Sequence, residues 1–138
     1  MPCDLCDTDG GKLLWRDSLC RVVLVADPDY PGFCRVILNR HLPEMTDLPP
    51  SERMRLMETV FAVERALRAS LAPHKVNLAS LGNLTPHLHW HVIPRYIDDR
   101  HFPNPVWGIP QRAGRRQFAQ DWEERLVTQL AALLAQGG

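Results

Sequence analysis

Three of the six histidines of this 138-residue chain, His87, His89 and His91, fall within five residues. They alternate with Leu88, Trp90 and Val92, the period of two that a half-buried strand produces. One face of such a strand carries the rings, and the other carries apolar groups that can pack on a core. A single metal shared by all three rings is geometrically poor. Strand residues rise about 3.3 Å each, so the outer two start about 13 Å apart. Zinc needs its ligand nitrogens about 2.1 Å away. A row of imidazoles suits nucleophilic and acid–base work instead: one ring attacks while its neighbours orient it and hold an extended anion. Spacing alone does not choose which ring attacks.

Two further stretches could do chemistry. Gly82-Asn83-Leu84-Thr85-Pro86 turns the chain into the histidine strand. Gly82 opens backbone conformations closed to other residues and lets a ligand come close. Successive amides in such a turn can cradle a phosphate, and the Asn83 amide can donate to one of its oxygens. The alternative is a tight turn with nothing bound. Near the start, Cys3-Asp4-Leu5-Cys6 is a C-x-x-C pair, either half a zinc site or two idle thiols on a frayed polar tail over residues 1–11. No second such pair exists, so histidines would have to complete a tetrahedron. His41 can be read as zinc ligand, substrate contact or ordinary loop histidine.

The elements that must position these groups follow from pattern. Lys12 to Trp15 and Arg21 to Val25 read as short strands around the Asp17-Ser18 turn. The run from Val22 to Val25 suits a strand covered on both faces. Asp27 to Gly32 is a loop by composition, Phe33 to Leu38 a third strand, and Lys75 to Leu81 a fourth. Pro94 is expected to stop regular pairing of the histidine strand. Between the third and fourth strands a helix starts with Ser51 as N-cap and ends at Pro73. Leu56, Val60, Val63, Leu67 and Leu71 form its apolar stripe, joined by Met57 and Phe61, with Met54 as core filler. Residues 95–110 read as an aromatic, proline-rich loop suited to a lid, a dimer contact or a plain surface loop. Arg112, Arg115 and Arg116 make a small basic patch. A last helix carries Phe118, Trp122, Leu126, Leu130 and Leu133 on its buried stripe, and Gln136-Gly137-Gly138 frays.

Sixteen basic and sixteen acidic side chains balance, so no global field draws in nucleic acid or a membrane surface, and anion affinity must be local. No stretch approaches the ~20 apolar residues of a membrane span. Asp4 and Asp7 stand where a secretion signal would be basic and then apolar, so the cytoplasm is the expected location. There, Cys3, Cys6, Cys20 and Cys34 would be reduced thiols.

His87-Leu88-His89-Trp90-His91-Val92-Ile93, followed by Pro94-Arg95, resembles the signature of the histidine triad (HIT) superfamily of nucleotide hydrolases and transferases. Gly82-Asn83 matches its usual Gly-amide pair, and Pro31-Gly32 through Arg40-His41 matches its Pro-Gly-strand-basic-His stretch. The resemblance covers roughly residues 12–100. It implies an α+β fold over a single domain, residues 1–138: an antiparallel sheet of about five strands, one long helix across it, and a C-terminal extension from residue 95 ending in a helix.

The resemblance also implies roles. His89 would attack the α-phosphorus of a nucleoside polyphosphate or phosphoramidate, forming a covalent nucleotidyl-histidine. His91 would hold a phosphate oxygen or protonate the leaving group. His87 would orient the row, and Asn83 would steady the developing charge. Asp27 would meet the ribose, with Asn77 and Gly82 as further nucleotide contacts. Catalysis would need no metal; a structural zinc would be held by Cys3, Cys6, His41 and His87. Members are commonly two-fold dimers. Two other classes remain open: a nucleotide-binding regulator with little turnover, and a zinc-dependent interaction module built on Cys3 and Cys6.

Overall fold

The computed structural model describes residues 2–114 and 116–136. Five antiparallel strands form one sheet in the order β1-β2-β3-β5-β4: β1 Lys12–Arg16, β2 Cys20–Leu24, β3 Cys34–Leu38, β4 Lys75–Ala79 and β5 His89–Arg95. Among the described residues three α-helices accompany it, α1 Asp4–Asp7, α2 Pro50–Leu71 and α3 Trp122–Gln136, with one 3-10 turn over Met45–Asp47. The architecture is α+β, as expected. Among the described residues no helix is long and apolar enough to cross a membrane.

Alternation along the strands decides what lies on each side of the sheet. Val22, Leu24, Val36, Leu38 and Val92 pack with Leu56, Val60, Val63 and Leu67 of α2 and with Leu126 and Leu130 of α3. That is the main core, and burying each of these Leu or Val side chains stabilises the fold by about 1.5–3 kcal/mol. The opposite face carries Arg21, Arg35 and Ile37 beside His89 and His91, with small apolar clusters at its ends.

Several expectations need correction. The long helix does not use Ser51 as N-cap. Pro49 holds that place and Pro50 opens the helix, where a missing N–H costs nothing. Met54 and Phe61 are 68% and 39% exposed and not core. Thr59, Ala66 and Ser70 are buried in the helix instead, and both hydroxyls bond the carbonyl four residues back, which makes their burial tolerable. Phe118 precedes α3 and packs edge-on against Tyr96.

Pro94 does not end β5 either, because Pro94 pairs with Val76 and Arg95 with Lys75. β3 has already stopped at Cys34, opposite Val92, so the proline interrupts no ladder on that side. Residues 2–11 are not a frayed tail. Leu5 is buried against Val23 and Ile37. The Arg21 guanidinium donates to the carbonyls of Leu5, Thr8 and Asp9, tying the segment to β2. The basic patch is dispersed. Arg112 donates to the carbonyls of Asp99 and Phe102, Arg116 pairs with Asp98, and Arg115 lies outside the described residues, as do Gly137 and Gly138.

Candidate functional site

The His87 ring has both nitrogens engaged. Its Nε2 lies 2.6 Å from the Leu38 carbonyl oxygen. A carbonyl can only accept, so Nε2 carries the proton and Nδ1 presents a lone pair. That Nδ1 lies 3.5 Å from Cys3 Sγ, 3.4 Å from Cys6 Sγ and 3.3 Å from His41 Nδ1. Cys6 Sγ is also 3.4 Å from His41 Nδ1.

These four ligand atoms all lie within 4.8 Å of one another. A tetrahedron built on zinc–sulfur bonds of about 2.3 Å and zinc–nitrogen bonds of about 2.0–2.1 Å has edges of about 3.4–3.8 Å. The measured separations match, and the donors are two thiols and two imidazoles, the set a closed zinc site uses. The residues present therefore fit that ion. The cluster exists because Arg21 and Leu5 dock the N-terminal segment beside the start of β5. Arg21 stands just before the apolar run Val22 to Val25, and a charge at that border carries no sequence signal of a buried anchor.

His89 is oriented differently. Its Nδ1 lies 2.7 Å from the His87 carbonyl oxygen, so Nδ1 is the protonated nitrogen and Nε2 keeps its lone pair. His91 stands edge-on to it, ring centroids 4.9 Å apart. The two rings are only 8% and 6% exposed. Burial lowers the pKa of His89, aided by the charge of Arg35. Burial, His89 and Arg35 together bring His91 down to about 4. Both rings are neutral at pH 7.

The histidine face is covered rather than open. Trp107 of the 95–110 loop lies edge-on to His91 at 4.9 Å, and Phe33 does so at 5.8 Å. The loop is held by a buried ion pair, Arg95 Nε to Asp99 Oδ2 at 2.7 Å, inside a network with Tyr30, His101 and the amide of Phe102. Yet the space by the rings is not saturated. His91 Nδ1 and Arg35 Nε are buried with no hydrogen-bond partner among the described residues.

The other expected site residues are distributed around this row. Gly82 has φ +68°, the left-handed conformation the turn requires, and a Cβ there would meet only Thr85 and Pro86 of its own turn. Asn83 is exposed on that turn. Asn77 is on the histidine face opposite Ile93, with its side-chain Oδ1 accepting from Arg95. Asp27 caps the amide of Asp29 and lines a groove with Leu24, Val25 and Trp122. The structure thus gathers His89 and His91 in one place and Cys3, Cys6, His41 and His87 in another, while Asp27 stands apart. Arg35 joins the first group. Its place directly opposite His91 across β3 and β5 is visible only once the two strands are paired.

Comparison with known proteins finds the HIT domain over residues 10–98. The AP-4-A phosphorylase of Mycobacterium tuberculosis is 32% identical over 81% of this chain, which spans 63% of that relative. The asymmetrical bis(5'-nucleosyl)-tetraphosphatase of Schizosaccharomyces pombe is 30% identical over 62% of this chain, which spans half of it. Among solved structures, a histidine triad protein from Bradyrhizobium japonicum superposes with a TM-score of 0.73 at 29% identity, covering 90% of each chain.

Proposed function

The chain belongs to the HIT domain family, and from that premise we propose that it is an enzyme cleaving nucleoside polyphosphates at the α-phosphorus through a covalent nucleotidyl-histidine. The observation that carries the reading is the hydrogen bond from His89 Nδ1 to the His87 carbonyl. It leaves His89 Nε2 unprotonated and therefore nucleophilic.

His89 Nε2 attacks the α-phosphorus. The P–N bond forms as the bond from phosphorus to its bridging oxygen breaks, and the rest of the polyphosphate departs with the electron pair. His91, neutral and carrying one N–H, donates a hydrogen bond to a phosphoryl or leaving oxygen. Water or another oxygen acceptor then attacks the same phosphorus, loses a proton, and returns the ring to its starting state. Asn83 and the Gly82 turn donate to non-bridging oxygens where charge builds. Asp27 and Asn77 serve the nucleoside. Dinucleoside polyphosphates are the first substrate class to try, on the strength of the relatives' names.

Zinc held by Cys3, Cys6, His41 and His87 supplies a cross-link between the N-terminal segment, the loop after β3 and the start of β5. It takes no part in the bond-making steps. His87 is then a positioning residue, aiming its carbonyl at His89. A two-fold dimer in solution completes the proposal.

The test is turnover of diadenosine polyphosphates and adenosine 5'-phosphoramidates by the wild type and His89→Ala. The wild type should release AMP or another adenosine mononucleotide. His89→Ala should lose activity by at least about 10³-fold, as expected when a nucleophile is deleted. Equal rates for the two proteins would end the proposal.

A further inference from the structure

The four cysteines are of two kinds. Cys20 and Cys34 are fully buried in the main core. Cys3 is partly exposed and Cys6 is exposed. Cys3 and Cys6 share one turn, in which the Cys6 amide donates to the Cys3 carbonyl at 3.0 Å. Their sulfurs lie against the same atom, His87 Nδ1, at 3.5 and 3.4 Å. They are within 4.8 Å of each other. A disulfide needs its sulfurs about 2.05 Å apart, so joining this pair takes a shift within a single turn. Neither core thiol has such a neighbour in its own turn.

A cysteine that binds zinc is a thiolate, and the thiolate is also the form that a peroxide oxidises. Of the four ligand residues only His87 is buried, so the sulfurs are open to such a reagent. His87 then connects them to the catalytic row. Its Nε2 donates to the Leu38 carbonyl, and its own carbonyl accepts the Nδ1 proton of His89. Disulfide sulfurs have no S–H to donate and no charge with which to hold a metal. His87 Nδ1, in a ring with no exposed surface, would be left with only the exposed His41 ring at 3.3 Å. A poorly paired buried nitrogen is costly. Relief requires residue 87 to move, and the carbonyl that orients His89 moves with it.

We propose that Cys3 and Cys6 are a reversible oxidation site: a peroxide converts them to a disulfide, zinc is expelled, and His89 loses its fixed orientation. The inference rests on the zinc reading above and adds regulation to it. The Cys6 thiolate attacks one peroxide oxygen, the O–O bond breaks, and a sulfenic acid and hydroxide form. The Cys3 thiolate attacks that sulfur, the S–S bond forms, and the hydroxyl leaves. Two thiolates, one hydrogen peroxide and two protons give one disulfide and two waters. The sulfurs lose two electrons, the peroxide gains them, and the zinc ion departs unchanged in oxidation state. A dithiol reductant reverses the step by thiol–disulfide exchange.

The test treats zinc-loaded protein with excess hydrogen peroxide and then with dithiothreitol and zinc. A chromogenic zinc indicator, peptide masses and the NMR signal of the His89 Nδ1 proton are followed throughout. Oxidation should release about one zinc per chain, remove two hydrogens from the peptide containing Cys3 and Cys6, and shift or broaden the His89 signal. Turnover should fall at least about tenfold in step, and all four changes should revert on reduction. A protein carrying Cys20→Ala and Cys34→Ala should respond as the wild type does. Zinc that stays bound, a disulfide to Cys20 or Cys34, oxidation that dithiothreitol cannot reverse, or an unmoved His89 signal would overturn the switch. Protein that takes up no zinc would overturn the metal site and the switch with it. A full zinc and NMR response in a protein without turnover would support the switch and count against the proposed reaction alone.

Discussion

Two backbone carbonyls divide the labour between adjacent histidines. Leu38 O takes the Nε2 proton of His87 and turns its Nδ1 toward two thiols, and His87 O takes the Nδ1 proton of His89 and leaves its Nε2 available. The alternation of the three rings was legible in the sequence, but this division was not. Tautomers follow from acceptors that only tertiary contact supplies. A pH prediction belongs at this scale. Burial, with His89 and Arg35, holds His91 down to about 4, and burial with Arg35 also lowers His89. Chemistry that needs neutral rings should therefore persist as pH falls through 6.5, the ordinary histidine value, and decline only below it. A profile of kcat/KM against pH that halves at 6.5 or above would contradict the assignment.

At the scale of elements, the 95–110 loop, which reads as a lid, a dimer contact or a plain surface loop, is tied to β5 by a buried ion pair. Asp99 sits in a polar Asp-Asp-Arg run, yet it is buried beside Arg95 and accepts from the amides of Tyr96, His101 and Phe102. The sequence hid this because the pair forms only when β5 runs on through Pro94 to Arg95. Burial alone would raise the Asp99 carboxyl. The Arg95 guanidinium and the amides outweigh it and bring the group down to about 2. Its folded value is thus below its unfolded one, so its stabilisation is complete above about pH 4 and is lost as pH falls toward 2. Asp99→Ala, which strands Arg95 in the interior, should destabilise the fold by about 3–5 kcal/mol at pH 7, measured by urea unfolding. Asp99→Ala should also lack the wild type's steep loss of stability between pH 4 and 2. An Asp99→Ala protein as stable as the wild type would show that the network does not hold the loop.

For the whole molecule, patterning made individual strands and the long helix readable, because period-2 and period-3.6 runs report burial directly, and the family resemblance implied the α+β plan; the strand order β1-β2-β3-β5-β4 was legible in neither. Helix caps and the docked N-terminus escaped it. Pro49-Pro50 begins α2 where Ser51 looks the better cap, and Arg21 anchors residues 2–11 from the border of the apolar run Val22 to Val25. That docking brings Cys3 and Cys6, far from the triad in sequence, to His87. Gently purified protein should accordingly carry about one zinc per chain by elemental analysis, chelation should lower its unfolding midpoint, and Arg21→Met should reduce zinc retention. Less than about 0.2 zinc per chain would remove the structural ion, since such sites hold their metal tightly.

If His89 takes a nucleotide onto its ring, the adduct can be trapped. Mix the wild type with α-phosphate-labelled diadenosine tetraphosphate, quench within milliseconds in alkali, which spares a phosphorus–nitrogen bond, and map the adduct by peptide mass. An acid-labile AMP mass should appear on the peptide containing His89 and be absent in His89→Ala. Turnover with no adduct at any time, or an adduct on another residue, would contradict it.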